Sequence, residues 1–150
     1  MMSIYAHART FMAEHGNPRQ WGATNWPPRP LVEEDICLGR SYVCTEGENI
    51  LGVFCFLHGE AVDPCYNEID GEWPGHGPYG VVHRIASSGE KKGVGTKCIT
   101  WAHDQCGDLR MDTHGDNLPM QSLLRKLGFQ YCGIIHVEED DDPRLAFEWL

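Results

Sequence analysis

The sequence has little positive charge and no long apolar run, and each shortage excludes a class of protein. It contains 12 Lys and Arg residues against 22 Asp and Glu residues, for a formal net charge of -10. A chain this acidic repels nucleic acids and anionic membrane surfaces, so we expect neither as a partner. No segment approaches the roughly 20 apolar residues that span a bilayer. Residues 1–10 also lack the charged start and apolar run of a signal peptide.

Cysteines in metal-binding or redox spacing are also absent. The seven cysteines form no CxxC pair, and most of them lie within apolar runs. This pattern argues against a disulfide framework and against a zinc site, because such thiols pack as small hydrophobic side chains. We therefore predict no metal site and a reducing, cytoplasmic location. A length of 150 residues predicts one domain, residues 1–150.

What the sequence does contain is an alternation of helical and strand-like patterns. Apolar spacing predicts helices over residues 4–15, 30–38, 94–106 and 118–127. Strands are predicted over residues 41–45, 50–58, 79–86, 109–113, 129–137 and 145–149. Residues 59–78, rich in Gly, Pro and acids, are predicted to form a long loop. Because helices and strands alternate in the C-terminal half, we expect a mixed sheet covered by helices.

A glycine-rich turn between a strand and a helix is the most informative segment. Residues 81–96 read VVHRIASSGEKKGVGT, so a helix begins at Gly93-Val94-Gly95-Thr96. Glycines allow close backbone approach, and a helix N-terminus offers unpaired N–H groups and the positive end of its dipole. The turn therefore predicts a phosphate-binding site, with positive charge from Lys91 and Lys92. Two nucleotide-binding motifs do not fit this segment. A P-loop needs Lys directly after its second glycine, but Thr96 follows Gly95, and a dinucleotide fingerprint needs a third glycine at position 98, where this sequence has Cys98.

The same turn fits a third pattern, in which Gln or Arg and two further residues precede Gly-x-Gly. Glu90 occupies the Gln or Arg position, and Gly93-Val94-Gly95 completes the pattern. Downstream, Asn117 precedes a helix that ends in Lys126-Leu127-Gly128-Phe129. Together these motifs resemble the GNAT superfamily of N-acetyltransferases over about residues 41–149. The segments Asn17 with Gln20-Trp21-Gly22, residues 83–87 (HRIAS) and residues 112–114 (DTH) resemble a bacterial branch whose substrate is unassigned.

The resemblance implies a fold and a cofactor. The expected fold is α/β (α+β), a GNAT-like twisted mixed β-sheet flanked by helices, with a splay between the strand ending near Ala86 and residues 109–113. The chain starts in a helix, so the usual first strand is missing. The resemblance places acetyl-CoA in the splay. The expected cofactor-binding residues are Ile85, Lys91, Lys92, Gly93, Val94, Gly95, Thr96 and Asn117.

Candidate catalytic and acceptor residues follow from the chemistry of amine acetylation. An ammonium ion must lose a proton before it attacks, and His83 and His114 are the candidate general bases. The acidic loop that contains Asp63, Glu68, Asp70 and Glu72 is expected to attract a cationic amine. Trp21, Trp26 and Tyr79 are candidate walls of the acceptor pocket. The structural alternatives are core histidines, a solvated acidic surface and aromatic packing.

The predicted function is acetyl transfer from acetyl-CoA to a primary amine of a small molecule or peptide, by direct attack. The alternative is a non-catalytic GNAT-like module that binds acyl-CoA or acts as a sensor. Two departures favour the alternative: Glu90 replaces a phosphate donor, and Leu124 stands where many GNAT enzymes carry a tyrosine acid. The acceptor and the oligomeric state, a homodimer included, stay open at this stage.

Overall fold

The computed structural model describes residues 1–150, and the chain enters the fold through two helices. Helix α1 (Met2–Glu14) buries Ile4 and Tyr5, as its apolar spacing predicts, and helix α2 (Arg29–Cys37) begins beside a proline. Within these 150 residues no strand precedes α1. No helix combines the length and the apolar composition that crossing a bilayer requires.

All the strands belong to one seven-stranded mixed sheet. Its strands are β1 (Ser41–Glu46), β2 (Asn49–Gly59), β3 (Asp70–Gly71), β4 (Tyr79–Ser87), β5 (Leu109–His114), β6 (Gln130–His136) and β7 (Pro143–Trp149). Their order across the sheet is β1-β2-β4-β5-β7-β6-β3, and only β4 and β5 are parallel. Helices α3 (Val94–Cys106) and α4 (Leu118–Leu127) complete the fold. The predicted GNAT-like mixed sheet with flanking helices is confirmed.

The two faces of the sheet bury separate apolar clusters. Ile99, Leu109 and Leu124 are fully buried in the larger cluster, between the sheet and helices α3 and α4. Val53 lies in a second cluster under α1, while its neighbour Phe54 belongs to the first. Because successive side chains of a strand point to opposite faces, β2 separates the two clusters. Helix α1 therefore packs against β4 on one face of the sheet, and α3 packs on the other face.

Strands β4 and β5 separate soon after they meet, which opens the predicted splay. They pair only at Gly80 with Leu109 and Val81 with Arg110. Farther along β4, Arg84 and Ile85 together face a single residue of β2, which is a β-bulge. Arg84 has a φ of 50°, a conformation that non-glycine residues rarely adopt.

Two long-range contacts hold the bulged residue in place. The Arg84 carbonyl accepts a 2.9 Å hydrogen bond from the Tyr5 hydroxyl of α1. The Arg84 guanidinium forms two hydrogen bonds, of 2.8 and 2.9 Å, to the buried carboxylate of Asp35 in α2. The two N-terminal helices therefore stabilise the bend that keeps β4 apart from β5.

The long loop after β2 contains structure that the sequence pattern did not predict. Residues Pro64–Tyr66 form a 3-10 turn, and β3 pairs with Gly133 and Ile134 of β6. A Cβ on Gly71 would lie 2.1 Å from the Cys132 carbonyl oxygen, so the backbones meet closely only because glycine stands there. A two-residue strand shows no alternation, and its residues read as turn formers.

Candidate active site

The gap between β4 and β5 contains two adjoining cavities. The first, which we call the apolar cleft, has a volume of about 290 Å³ and lies between α1, the end of β4, α3 and α4. The second, which we call the polar cavity, is smaller, with a volume of about 60 Å³. Four residues line both of them: Met12, Ile85, Asn117 and Met120. Because the linings overlap, a ligand in the apolar cleft can extend its end into the polar cavity.

The glycine turn lies at one end of the apolar cleft. Gly93 precedes α3 with a φ of 82°, a left-handed conformation that favours glycine. The first N–H groups of the helix, those of Val94, Gly95 and Thr96, have no carbonyl acceptor one turn earlier. Gly95 lines the cleft, and a Cβ built there would meet only Leu123, at 3.4 Å. The turn therefore offers an accessible row of donors at a helix N-terminus.

The lysines near this turn are not equivalent. Lys91 forms an ion pair with Glu46 on the surface, so part of its positive charge is already neutralised. Lys92 is exposed and makes no ion pair, while Lys97 lies beside Tyr42 and Trp101, away from the cleft. Of the two lysines that the sequence predicted as cofactor ligands, Lys92 is the one that is free to contact a phosphate.

Asn117 lies at the junction of the two cavities, where both of its polar atoms are engaged. Its Oδ1 caps α4 by accepting from the Met120 amide at 3.2 Å, and its Nδ2 donates to Gln20 Oε1 at 3.0 Å. Gln20 Oε1 also accepts from Asn17 Nδ2 at 2.9 Å and from the Thr113 hydroxyl at 3.4 Å. One N–H of the Asn117 amide remains for a ligand. The network fixes the segment after α1 against the start of α4.

His83 lines the polar cavity, and a carboxylate orients its ring. Its Nε2 lies 2.5 Å from Oδ2 of Asp63, while the other Asp63 oxygen accepts from the Cys65 amide at 2.9 Å. Burial raises the pKa of Asp63, but hydrogen bonds from His83 and Cys65 outweigh burial and lower the pKa overall. An ionised Asp63 selects the tautomer with the proton on Nε2, so Nδ1 carries the lone pair. The interpretation of Asp63 as a solvated loop residue is wrong, because it is only 8% exposed.

His114 has no ring nitrogen available. Its Nδ1 accepts from the Asp116 amide at 3.0 Å, and its Nε2 lies 2.8 Å from Asp142 Oδ2. Hydrogen bonds from Arg19 and His114 lower the pKa of Asp142, so this carboxylate is ionised. His114 is buried and lies outside the lining of the polar cavity. The geometry therefore distinguishes two histidines that the sequence treated alike.

The predicted acceptor residues lie in two different places. Trp21 and Trp26 line the polar cavity, whereas Tyr79 packs against the Arg110 guanidinium, 4.0 Å from its ring centre, in a separate surface depression. Glu68 and Asp70 are exposed and do not line the polar cavity. The structure therefore does not bring Tyr79, Glu68 and Asp70 into one cavity with Trp21.

Two carboxylates that sequence reasoning missed line the polar cavity instead. Asp112 in β5 accepts a 2.7 Å hydrogen bond from the Tyr66 hydroxyl, and Glu139 comes from the turn between β6 and β7. Burial raises the pKa of both carboxyl groups. The signal for Asp112 was its place in the Asp-Thr-His segment, but Glu139 stands in a run of five acids that reads as a solvated turn.

Leu124 does not face the cleft. It is fully buried in the core, and the α4 side chains that line the apolar cleft are Pro119, Met120 and Leu123. Helix α4 therefore presents no hydroxyl to the cleft, and a thiolate leaving there would have no proton donor on this helix.

A splayed pair of parallel strands, a glycine turn at a helix N-terminus and an apolar cleft between them are the features that the resemblance to the GNAT superfamily predicted. No family model and no curated protein matches the sequence. Among solved structures, a GNAT-family acetyltransferase from Streptococcus agalactiae is 29% identical, with a TM-score of 0.85 over 98% of this chain and 86% of its own. This chain is thus similar to GNAT-family acetyltransferases in sequence and fold, and the resemblance to the GNAT superfamily is confirmed.

Two further solved structures share the fold at lower identity. A GNAT-family acetyltransferase from Listeria monocytogenes is 15% identical, with a TM-score of 0.63 over 98% of this chain and 85% of its own. An acetyltransferase from Bacillus subtilis, solved in complex with CoA, is 18% identical, with a TM-score of 0.56 over 82% of this chain and 84% of its own. The comparisons support acyl transfer as the class of activity.

Proposed function

We propose that this protein transfers an acetyl group from acetyl-CoA to a primary amine of a small molecule or peptide. The observation that carries the proposal is the continuity of the site. The glycine turn lies at one end of the apolar cleft, and the cleft shares its lining with a cavity that contains His83. A phosphate site and a candidate base are thus joined by an apolar passage between the splayed strands.

The residues of the cleft suit the chemistry of CoA. The pyrophosphate would be held by the amides of Val94, Gly95 and Thr96, where the helix dipole favours negative charge. Lys92 would add a charge-assisted contact in place of the donor that Glu90 lacks. The backbone of Ile85, freed from β2 by the bulge, and the remaining amide N–H of Asn117 would contact the pantetheine arm. Bound there, acetyl-CoA supplies an activated thioester.

His83 would act as the general base. Its Nδ1 takes a proton from the ammonium group of the acceptor, Asp63 holds the ring through Nε2, and the paired carboxylate stabilises the imidazolium that forms. The neutral amine nitrogen then attacks the thioester carbonyl carbon, the C–N bond forms, the C–S bond breaks and the sulfur leaves as a thiolate. The nitrogen of the new amide releases its extra proton to water. A thiol pKa of about 8.5 makes the thiolate an adequate leaving group without a donor on α4.

Release of free CoA thiol from acetyl-CoA, measured with a panel of primary amines, tests the proposal. We expect amine-dependent release by the wild type and a loss of about 10²- to 10⁴-fold in His83→Gln. His136→Gln is the matched control, because His136 is exposed and lies outside both cavities. Binding of acetyl-CoA without thiol release for any amine would instead support the alternative of a non-catalytic acyl-CoA-binding module.

A further inference from the structure

The charges that line the polar cavity do not balance. Five ionisable side chains contribute to its lining: His83, Arg84, Asp112, Glu139 and Arg144. His83 already has Asp63 as its partner. The question is which of the other four are satisfied within the protein and which still face the cavity without a countercharge.

Both arginines are satisfied. Arg84 forms its two hydrogen bonds with Asp35. Arg144 donates to the two oxygens of Asp140 at 3.0 and 2.7 Å, and also to the carbonyls of Asp142 and Gln20. Bidentate pairing of this kind occupies the donors that a substrate carboxylate would need. The cavity therefore offers no free cation for an anionic acceptor.

Neither carboxylate, of Asp112 or of Glu139, forms a salt bridge within the protein. Asp112 accepts only from the neutral Tyr66 hydroxyl, through Oδ2, and its Oδ1 makes no hydrogen bond. Glu139 makes no side-chain hydrogen bond and no ion pair, although it is more than half buried. Burial raises the pKa of both groups, and the nearby charges of His83 and Arg144 only partly offset it. A bound cation would supply the missing charge.

The other walls of the cavity suit an aliphatic cation. Trp21 and Trp26 also line the cavity, and indole rings pack against methylene groups and attract an ammonium. His83 lines the same cavity as the two carboxylates. A ligand with two amino groups can therefore place one nitrogen at the base and the other at the carboxylates.

We propose that the acceptor is a small aliphatic amine with a second ammonium group, of the diamine or polyamine class, and that Asp112 and Glu139 bind the ammonium that is not acetylated. This inference rests on the proposed function, in which the other nitrogen of the ligand is the one that is acetylated. The second nitrogen keeps its proton throughout. An acceptor with a carboxylate in that position is excluded by repulsion from the same two groups.

Binding to the CoA-loaded protein tests the inference without requiring turnover. Calorimetric titration would use 1,4-diaminobutane, butylamine and 4-aminobutyrate, which share a four-carbon chain but differ at its far end. We expect the diamine to bind at least about 10-fold more tightly than butylamine, because one charge-assisted hydrogen bond contributes about that much affinity. We expect 4-aminobutyrate to have the lowest affinity of the three. Asp112→Asn and Glu139→Gln should each lower the affinity for the diamine about 10-fold and leave the affinity for butylamine unchanged.

The control variant is Glu68→Gln, because Glu68 is exposed and lies outside the cavity lining. Equal affinity for the diamine and butylamine, or an unchanged diamine affinity in both cavity variants, would overturn the inference. Asp112→Asn keeps an oxygen for the Tyr66 hydroxyl, and unfolding temperatures would verify that each variant is folded. Thiol release distinguishes the two claims: diamine binding without release refutes the proposed function alone, and release with butylamine as readily as with the diamine refutes this inference alone.

Discussion

His83 Nε2 lies 2.5 Å from Asp63 Oδ2, a pairing between the middle of β4 and the 3-10 turn that follows β2. Asp63 also caps that turn through the Cys65 amide, so its carboxylate is fixed from both sides. An imidazole held in this way has its Nε2 engaged and its Nδ1 free of protein partners. The imidazole is therefore positioned before any ligand binds.

The first prediction concerns this pair. Asp63→Asn should lower kcat for amine acetylation by less than His83→Gln, with little change in the KM for acetyl-CoA, because the amide no longer stabilises the imidazolium or fixes its tautomer. Steady-state thiol release from both variants would measure this. A KM effect without a kcat effect would mean that the pair serves binding and not proton transfer.

The second prediction concerns the glycine turn. Gly95→Asp should abolish binding of acetyl-CoA and leave the unfolding temperature nearly unchanged, because a carboxylate would stand where the pyrophosphate is expected. Gly77→Asp is the control with the same change of charge at an exposed glycine whose Cβ position is open. Titration of acetyl-CoA would compare the two. Normal binding by Gly95→Asp would locate the pyrophosphate elsewhere.

A third prediction concerns the dependence of stability on pH. Burial and the neighbouring Glu148 raise the pKa of Asp108 to about 7. A carboxyl whose pKa is raised on folding binds more protons in the native state, so its contribution to the free energy of unfolding falls as pH rises from about 4 to 7. Asp108→Asn removes this loss. The variant should match the wild type near pH 4 and unfold a few degrees higher at pH 8, about 2–4 °C for each kcal/mol.

Thermal unfolding of Asp108→Asn and of Asp104→Asn, an exposed acid on α3, would check this assignment over the same pH range. The control should show no growing difference from the wild type. If Asp108→Asn also tracks the wild type at every pH, Asp108 is ionised without cost in the folded protein.

A fourth prediction concerns Gln20, whose side-chain oxygen accepts from Asn17, Thr113 and Asn117. Gln20→Leu would leave these buried donors unpaired, at about 1–3 kcal/mol for each group that finds no other partner. We expect an unfolding temperature lower by several degrees and weaker binding of acetyl-CoA, since Asn117 loses its anchor. Gln105→Leu, on the exposed face of α3, should change neither. An unchanged Gln20→Leu protein would show that water replaces the network.

Local patterns in the sequence predicted much of the fold. Asn117 caps α4 through its side chain, and Gly128 ends this helix in a left-handed conformation with a φ of 109°. Both are short-range effects of residue type, as is the glycine turn before α3. The resemblance added the splay, which the two-residue pairing of β4 with β5 confirms.

The site was less predictable because its contacts join distant parts of the chain. Asp63 pairs with a residue 20 positions away, and Tyr66 bonds to Asp112 across 46 positions. No periodic pattern encodes such partners. His83 and His114 read alike in sequence, and only their partners show which one keeps a free nitrogen. Asp112 and Glu139 come from a strand and a turn, and their common cavity exists only once the sheet has formed.

A crystal structure with acetyl-CoA and 1,4-diaminobutane would locate both ligands in the site. We expect the pyrophosphate within hydrogen-bonding distance of the amides of Val94, Gly95 and Thr96. We also expect one diamine nitrogen between the thioester carbonyl and His83 Nδ1. Acetyl-CoA bound outside the gap between β4 and β5, or a thioester directed away from the polar cavity, would contradict the proposed function.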